Sequence, residues 1–496
     1  MRGNCRTSGT LRKEEGGNVF GLGSRTPIAL TLLIKKPSAE QQKAKIYYYE
    51  IGSFLTKEQK LAELKRLGSV LNKRLQLSSI TPSDDHDWIN KKDDLFQTFL
   101  PLGDKKNEEV KTIFVPFYSC GIQSNRDIWV YNYSRKTLLK SSELMVHTYN
   151  GQVDHLANFN KSQIDTDISG CIDTDESKIK WSSSLISYLS RKIKGSWSDR
   201  YIVNSMYRPF CKQFLYFEKI FIHRPYQIPK LFPDPQSKNL VICVPGIGVT
   251  KDFSVIMVDI IPDLELIGKS QCFPLYYYEK NDSQQSDLYA YSQDEYIKHD
   301  GISDFALNLA RELNPKISKE DIFYYIYGFL HNPEYRTRFA ADLKKSLPRI
   351  FFPATYEEFK KYRDAGYNLA KLHLNYESGP LCSSVVVSGC EHGNFKVDKM
   401  RFIAKDDKRT IIFNNDITIE NIPQEAYNYV INGKSAIEWI MERYAVTIDK
   451  NSKIVNDPNQ WSEDPRYVLD LLLRIIQMSL DTLKIVHKLP KLNLPN

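Results

Sequence analysis

Between Tyr207 and Lys230 the chain reads YRPFCKQFLYFEKIFIHRPYQIPK, in which Arg208, Lys212, Lys219, Arg224 and Lys230 outnumber Glu218 and alternate with seven Phe or Tyr residues. Cations neutralise phosphates, and Arg, Asn or Gln forks match the hydrogen-bonding edges of bases in a major groove. The segment therefore has the residue types of a nucleic-acid surface, with Arg208, Lys212, Arg224 and Tyr226 as its candidates. The same composition also fits an edge hairpin with an aromatic core face and a solvated basic face. Upstream, Gln123, Asn125 and Arg126 fall in a turn between two strand-like runs, where long polar side chains can reach bases. The plainer reading is that Asn125 and Asp127 stabilise the turn and Arg126 pairs with Asp127. Lys344, Lys345 and Arg349 form another basic group, readable as a solvated helix end or as a phosphate clamp.

Other chemistry is poorly supported. Asp84-Asp-His-Asp87 lies in a turn-rich linker, where adjacent acids are ordinarily solvated rather than metal-binding. His331 closes a helix and His373 lies in an apolar helical stretch, so capping and core roles are the default. Gly246-Ile-Gly248 follows the strand-like LVICVP but has no third glycine or lysine in the place a phosphate loop requires, and no GxxxxGK[ST] occurs. The 8 cysteines are scattered without CxxC or Cys/His spacing, which argues against a disulfide framework or a structural metal and for reduced thiols.

The elements that must position these residues follow from pattern. A chain of 496 residues exceeds one compact core, and its 42% hydrophobic and 26% charged content is that of an ordinary globular protein. The net charge of +8 permits a local basic groove and no more. The apolar run Ile28–Ile34 is far short of the roughly 20 residues that span a bilayer, and it lacks a leader cleavage pattern, so no membrane partner and a cytoplasmic location are expected. Pro27–Ile34 and Lys45–Ile51 suggest two strands of a hairpin, and Thr56–Leu67 a helix capped by Thr56 and stopped by Gly68. The polar stretch from about 80 to 112 reads as a connection to a new unit. Beyond it, IFVPFYSCGI, IWVYNYS, QFLYFEKIFIH, LVICVPGIG and SVIMVDIIP suggest strands, with a helix around Thr137–Asn150 and exposed loops over Lys161–Glu176 and Lys280–Asp300. Helices are expected over Ser318–His331, Pro333–Lys345, Tyr356–Asn375 and Pro465–Lys488.

The opening stretch carries a further signal. Asn18-Val-Phe-Gly-Leu-Gly-Ser-Arg-Thr-Pro-Ile-Ala-Leu-Thr-Leu-Leu-Ile-Lys-Lys36 resembles the last conserved motif of adenine-specific DNA methyltransferases, where an aromatic at a glycine turn stacks on the flipped base. Phe20 is the matching position; read without the family, it is a core residue at a tight turn. With Arg2–Gly9 and Lys13–Gly17, and with Asp87–Asn90, Pro101–Lys106, Ser124–Trp129, Tyr207–Phe210, Cys272–Leu275, Tyr324–Gly328, Leu372–Tyr376 and Asn432–Lys434, nearly the whole chain resembles the carboxy-terminal part of Type ISP restriction-modification enzymes.

That resemblance implies a mixed α/β fold: residues 1–112 as the end of a methyltransferase sheet, then 113–496 as a target-recognition domain with a β-rich first half and a helical second half. It implies double-stranded DNA as partner and S-adenosylmethionine as the cofactor of the parent enzyme. The sequence has no Pro-Pro dipeptide, hence no Asn-Pro-Pro-Tyr loop, and no glycine-rich loop for that cofactor. The chain is therefore expected to bind no cofactor alone and not to methylate by itself. It reads as beginning mid-domain. Two alternatives stay open: half of a split, or a whole, adenine methyltransferase completed by a separate chain, and an inactive remnant of a restriction system.

Overall fold

The structure, a computed structural model, describes residues 3–5, 9–20, 25–35, 44–107, 109–156, 159, 168–234, 237–281, 295–404 and 407–494. Near the amino terminus the helix Lys57–Leu67 forms as its capping signals predict: the Thr56 hydroxyl accepts from Gln59 N–H, the Gln59 side chain accepts from Thr56 N–H, and Gly68 follows. Lys60 on this helix is buried and donates to the carbonyls of Glu15 (2.6 Å) and Gly17 (2.8 Å), tying the helix Gly9–Glu15 to it.

The expected hairpin is not formed. Ile46–Tyr48 pairs antiparallel with Ser78–Ile80 instead, and Ile28–Ile34 carries no strand among the described residues. Leu30, Leu33 and Ile34 are 82%, 85% and 78% exposed. Apolar, β-prone residues supply a strand's propensity, but a strand needs a paired neighbour to satisfy its backbone, and among the described residues no strand pairs with this run.

The centre of the molecule is an antiparallel sheet in the order Ser119–Cys120, Gln271–Pro274, Val241–Val244, Ile256–Val258. Successive strand residues face opposite sides, and here both sides are covered. Val241, Cys243, Ile256, Val258 and Cys272 join one core, whereas Ile242, Val244, Met257 and Phe273 join the other. The first core also takes in a sheet ordered Ile261–Pro262, Ile202–Arg208, Cys211–Tyr216, Tyr131–Asn132, in which only the first pairing is parallel. The helices Arg135–His155 and Tyr467–Val486 pack against that core. The second core is helical. Lys319–Phe329 and Tyr356–Leu374 cross so closely that a Cβ on Gly328 would lie 2.1 Å from the Tyr362 carbonyl, and one on Gly366 would lie 1.9 Å from that of Tyr324.

The mixed α/β class holds, with three local corrections. IWVYNYS is not a strand throughout: Asp127–Val130 is a helical turn before Tyr131–Asn132. The expected loop Lys280–Asp300 is flanked by paired strands, Tyr276–Lys280 and Tyr296–Asp300, with 282–294 outside the described residues. The helical second half also holds an antiparallel sheet ordered Val386–Ser388, Thr418–Glu420, Asp407–Ile412, Arg401–Ala404. Among the described residues no helix is long and apolar enough to cross a membrane.

Candidate nucleic-acid interface

The turn carrying Gln123 and Asn125 is held on both sides by backbone. Ile122 N–H donates to Pro262 O (2.9 Å) and Leu264 N–H to Ile122 O (2.8 Å). A Cβ on Gly121 would stand 2.4 Å from the Asp263 carbonyl, so only glycine permits this approach. On the other side Gln123 and Arg224 exchange two backbone hydrogen bonds, each 2.9 Å. The two segments singled out in the sequence thus meet. Asn125 has φ 57°, the left-handed region that Asn tolerates, and its side-chain oxygen accepts from Gln123 Nε2 at 2.9 Å. Asn125, Arg224 and Tyr226 are exposed and Gln123 is half-buried, so four polar or aromatic side chains share one edge.

Arg126 does not share it. Its side chain is wholly buried, with Nε donating to Lys180 O (3.1 Å), Nη1 to Phe221 O (2.5 Å) and Nη2 to Ser182 Oγ (2.6 Å). Burial pulls the guanidinium down to about 10, which leaves it charged at neutral pH. It is a strut under the turn rather than a probe above it. Nor does it pair with Asp127, whose carboxylate accepts from Ser124 Oγ and from Tyr207 Oη (2.9 Å).

Arg208 and Lys212 are half-buried and engaged in ion pairs. Arg208 Nη1 lies 2.7 Å from Asp263 Oδ1, Nη2 lies 3.8 Å from Asp127 Oδ2, and the guanidinium stacks 3.9 Å from the Tyr207 ring centroid. Tyr131 Oη donates to Asp263 Oδ2 at 3.2 Å. Burial pushes the Asp263 carboxyl up to about 7 against the pull of Arg208. Lys212 is paired to Glu377 at 2.5 Å. The sequence suggested an exposed basic face, but the hairpin Ile202–Arg208/Cys211–Tyr216 has strands on both flanks, so its cations are half-buried and paired with acids from elsewhere. Asp263 was missed; an aspartate closing the apolar run VIMVDIIPD was the available signal.

The remaining candidates separate. Lys344 pairs with Asp252 at 3.0 Å. Lys345 reaches Asp87 (2.7 Å) and the Asn90 carbonyl (2.8 Å), and Arg349 reaches the carbonyls of Gln97 and Phe99, so these two fasten the 87–99 segment to the helical layer. Phe20 is not a core residue: it is 63% exposed, with its N–H on Asn18 Oδ1 (2.9 Å), while Asn18 Nδ2 reaches Thr26 O (2.9 Å). The glycine turn itself, residues 21–24, lies outside the described residues.

Residues 112–471 match the Type ISP C-terminal specificity domain. The chain belongs to that family. Its fold matches a nuclease-deletion mutant of the Type ISP restriction-modification enzyme LlaGI in complex with a DNA substrate mimic, at 36% identity and a TM-score of 0.85, over 100% of this chain and 43% of that one. It matches the ATP-dependent Type ISP enzyme LlaBIII bound to DNA at 35% identity and a TM-score of 0.85, over 100% of this chain and 30% of that one. It also matches the DrdV–DNA complex at 26% identity and a TM-score of 0.78, over 100% of this chain and 47% of that one. The chain therefore spans less than half the length of each. No curated protein matches it. Within the Type ISP specificity family, the edge formed by Gln123, Asn125, Arg224 and Tyr226 belongs to the matched region, whereas Phe20 precedes it.

Proposed function

We propose that the chain reads a short DNA sequence and presents the duplex to an adenine methyltransferase whose catalytic loops lie outside it. The observation that carries this reading is the backbone pairing of Gln123 with Arg224, which gathers two amides, a guanidinium and a tyrosine on one exposed edge. An amide fork matches adenine and an arginine fork matches guanine in the major groove, so this edge has the donors and acceptors for direct readout. Arg126, Asp127, Arg208 and Asp263 hold the edge in place from beneath. The three DNA complexes with the same fold support double-stranded DNA as the partner.

Residues 1–112 are read as the end of the methyltransferase domain, with Phe20 as the aromatic that stacks on the flipped adenine. The exposure of Phe20 is compatible with that role. S-adenosylmethionine would be held by the rest of the enzyme, a separate chain or segment, and the setting is the bacterial cytoplasm. Selection of bound duplexes from a random pool, with sequencing across a salt series, tests the reading. Enrichment of one word that persists as salt rises is the expected result, and salt-sensitive binding without a preferred word is the contrary one.

A further inference from the structure

The strand Val241–Val244 runs into Pro245-Gly-Ile-Gly-Val-Thr-Lys251. Its glycines do not match a nucleotide-binding fingerprint, yet the loop is built where two basic segments converge. Gly246 N–H donates to Gly268 O (3.0 Å), and a Cβ on Gly246 would lie 2.7 Å from Cβ of Lys269. Gly248 N–H donates to Lys344 O (3.0 Å); the residue takes φ 78° with open space where a side chain would stand. From the far side comes the turn Asn432-Gly433, with φ 49° and 79°. Asn432 N–H is bonded to Ser254 Oγ (3.0 Å), and a Cβ on Gly433 would lie 3.1 Å from Cδ of Lys251.

The cations of this cluster differ in what holds them. Lys344 is paired with Asp252, and Lys434 and Arg443 share Glu442. Lys251 is half-buried, and among the described residues its ammonium has neither an ion pair nor a hydrogen bond. Burial, and then the neighbouring charge of Lys434, draw its pKa below the usual lysine range against the pull of the nearby but unbonded Glu265 and Glu442. Lys269 is exposed and likewise has no carboxylate partner among the described residues. An ammonium that is partly desolvated and unpaired costs free energy, which an anion seated against it would offset.

The cluster adjoins the reading edge. Gln271 Nε2 donates to Lys269 O (2.9 Å), and Gly121 N–H donates to Ser270 O (3.1 Å), so the Lys269 turn abuts the strand that leads into Gln123. Base readers need a fixed register, and phosphate contacts beside them supply it. We propose that Lys251 and Lys269 grip a backbone phosphate of the duplex whose bases face Gln123 and Arg224. The proposal rests on the DNA-reading function above.

The test uses the full chain and a duplex carrying its preferred word, with binding followed by fluorescence anisotropy across a potassium chloride series. In Lys251→Met with Lys269→Met, the slope of log affinity against log salt should fall by about one, the share of the single phosphate, with weaker binding to every duplex and an unchanged word preference. Lys251→Arg should retain the slope. Lys251→Met should not lower Tm, because it removes an unpaired cation, so weaker binding cannot be laid to unfolding. A double variant with wild-type slope and affinity on the preferred word overturns the proposal and leaves the reading function standing. If the wild-type chain prefers no word but the slope still falls in the variant, the phosphate contact holds and the reading function fails. Absence of any duplex binding by the wild-type chain sinks both.

Discussion

Gln123 and Arg224, about a hundred residues apart in the chain, exchange both of their backbone hydrogen bonds at 2.9 Å, so that the two backbones are held in one register and the side chains leave from neighbouring points. A shared rigid edge predicts that the two act on one word. Arg224→Ala should cost about 1–3 kcal/mol of discrimination at one base position while leaving binding to unrelated duplexes nearly unchanged. Its effect on folding should stay within about 0.5 kcal/mol, since the side chain is exposed. Competition between the preferred word and its single-base variants measures this. Uniform weakening across all duplexes would assign Arg224 to phosphate instead.

Arg126 should behave in the opposite way. Its guanidinium satisfies Lys180 O, Phe221 O and Ser182 Oγ in a fully buried site. Arg126→Ala leaves those acceptors unpaired around a cavity and should destabilise the chain by about 3–5 kcal/mol. Urea unfolding reads the difference, and a midpoint equal to that of Arg224→Ala would show that the strut is not needed.

These two arginines show how far the sequence could be read. Each stands among aromatic or polar neighbours, and nothing local separates them; the difference lies in which distant strands cover them. Local signals, by contrast, were sufficient. Thr56 with Gln59 and Ser318 with Asp321 are capping boxes spelled within four residues, and both form. The spacing of Val468, Leu471, Leu472, Ile475 and Ile476 likewise gives the closing helix and its buried face. The sheet spanning 386–420 escaped notice because VVS and TIE are too short to show alternation. Ile28–Ile34 looked like a strand because hydrophobicity reports a wish for a neighbour, not its presence.

The crossing of Lys319–Phe329 over Tyr356–Leu374 depends on two missing side chains. With a Cβ 2.1 Å from the Tyr362 carbonyl, Gly328→Ala must push the helices apart in a core that has no slack. The expected loss is about 1–3 kcal/mol, although alanine is the better helix former by about 1 kcal/mol. Thermal unfolding decides it, and a rise in Tm would mean that propensity outweighs the clash.

His373 makes stability depend on acid. Met257 N–H donates to Tyr327 Oη (3.1 Å), whose hydroxyl donates to His373 Nδ1 (2.6 Å), and Nε2–H donates to Thr482 Oγ1 (3.0 Å). Both ring nitrogens are satisfied in the neutral form, and a second proton would displace the tyrosine proton. Burial, with the charge of Arg336 adding to it, depresses the folded-state value to about 3. The unfolded chain protonates near 6.5, so below that pH it takes up a proton that the folded chain refuses. Stability is full above 6.5 and falls by about 1.4 kcal/mol per pH unit down toward 3. His331, buried beside it and held well below its ordinary range by burial and then by Arg336, adds a second contribution of the same sign. Between pH 7.5 and 5.0, His373→Gln should therefore lose about 2 kcal/mol less stability than the wild-type chain. Urea midpoints at the two pH values measure it; equal losses in both proteins would show that His373 is protonated in the folded state, and that the hydrogen-bonded chain from Met257 to Thr482 does not hold the ring neutral.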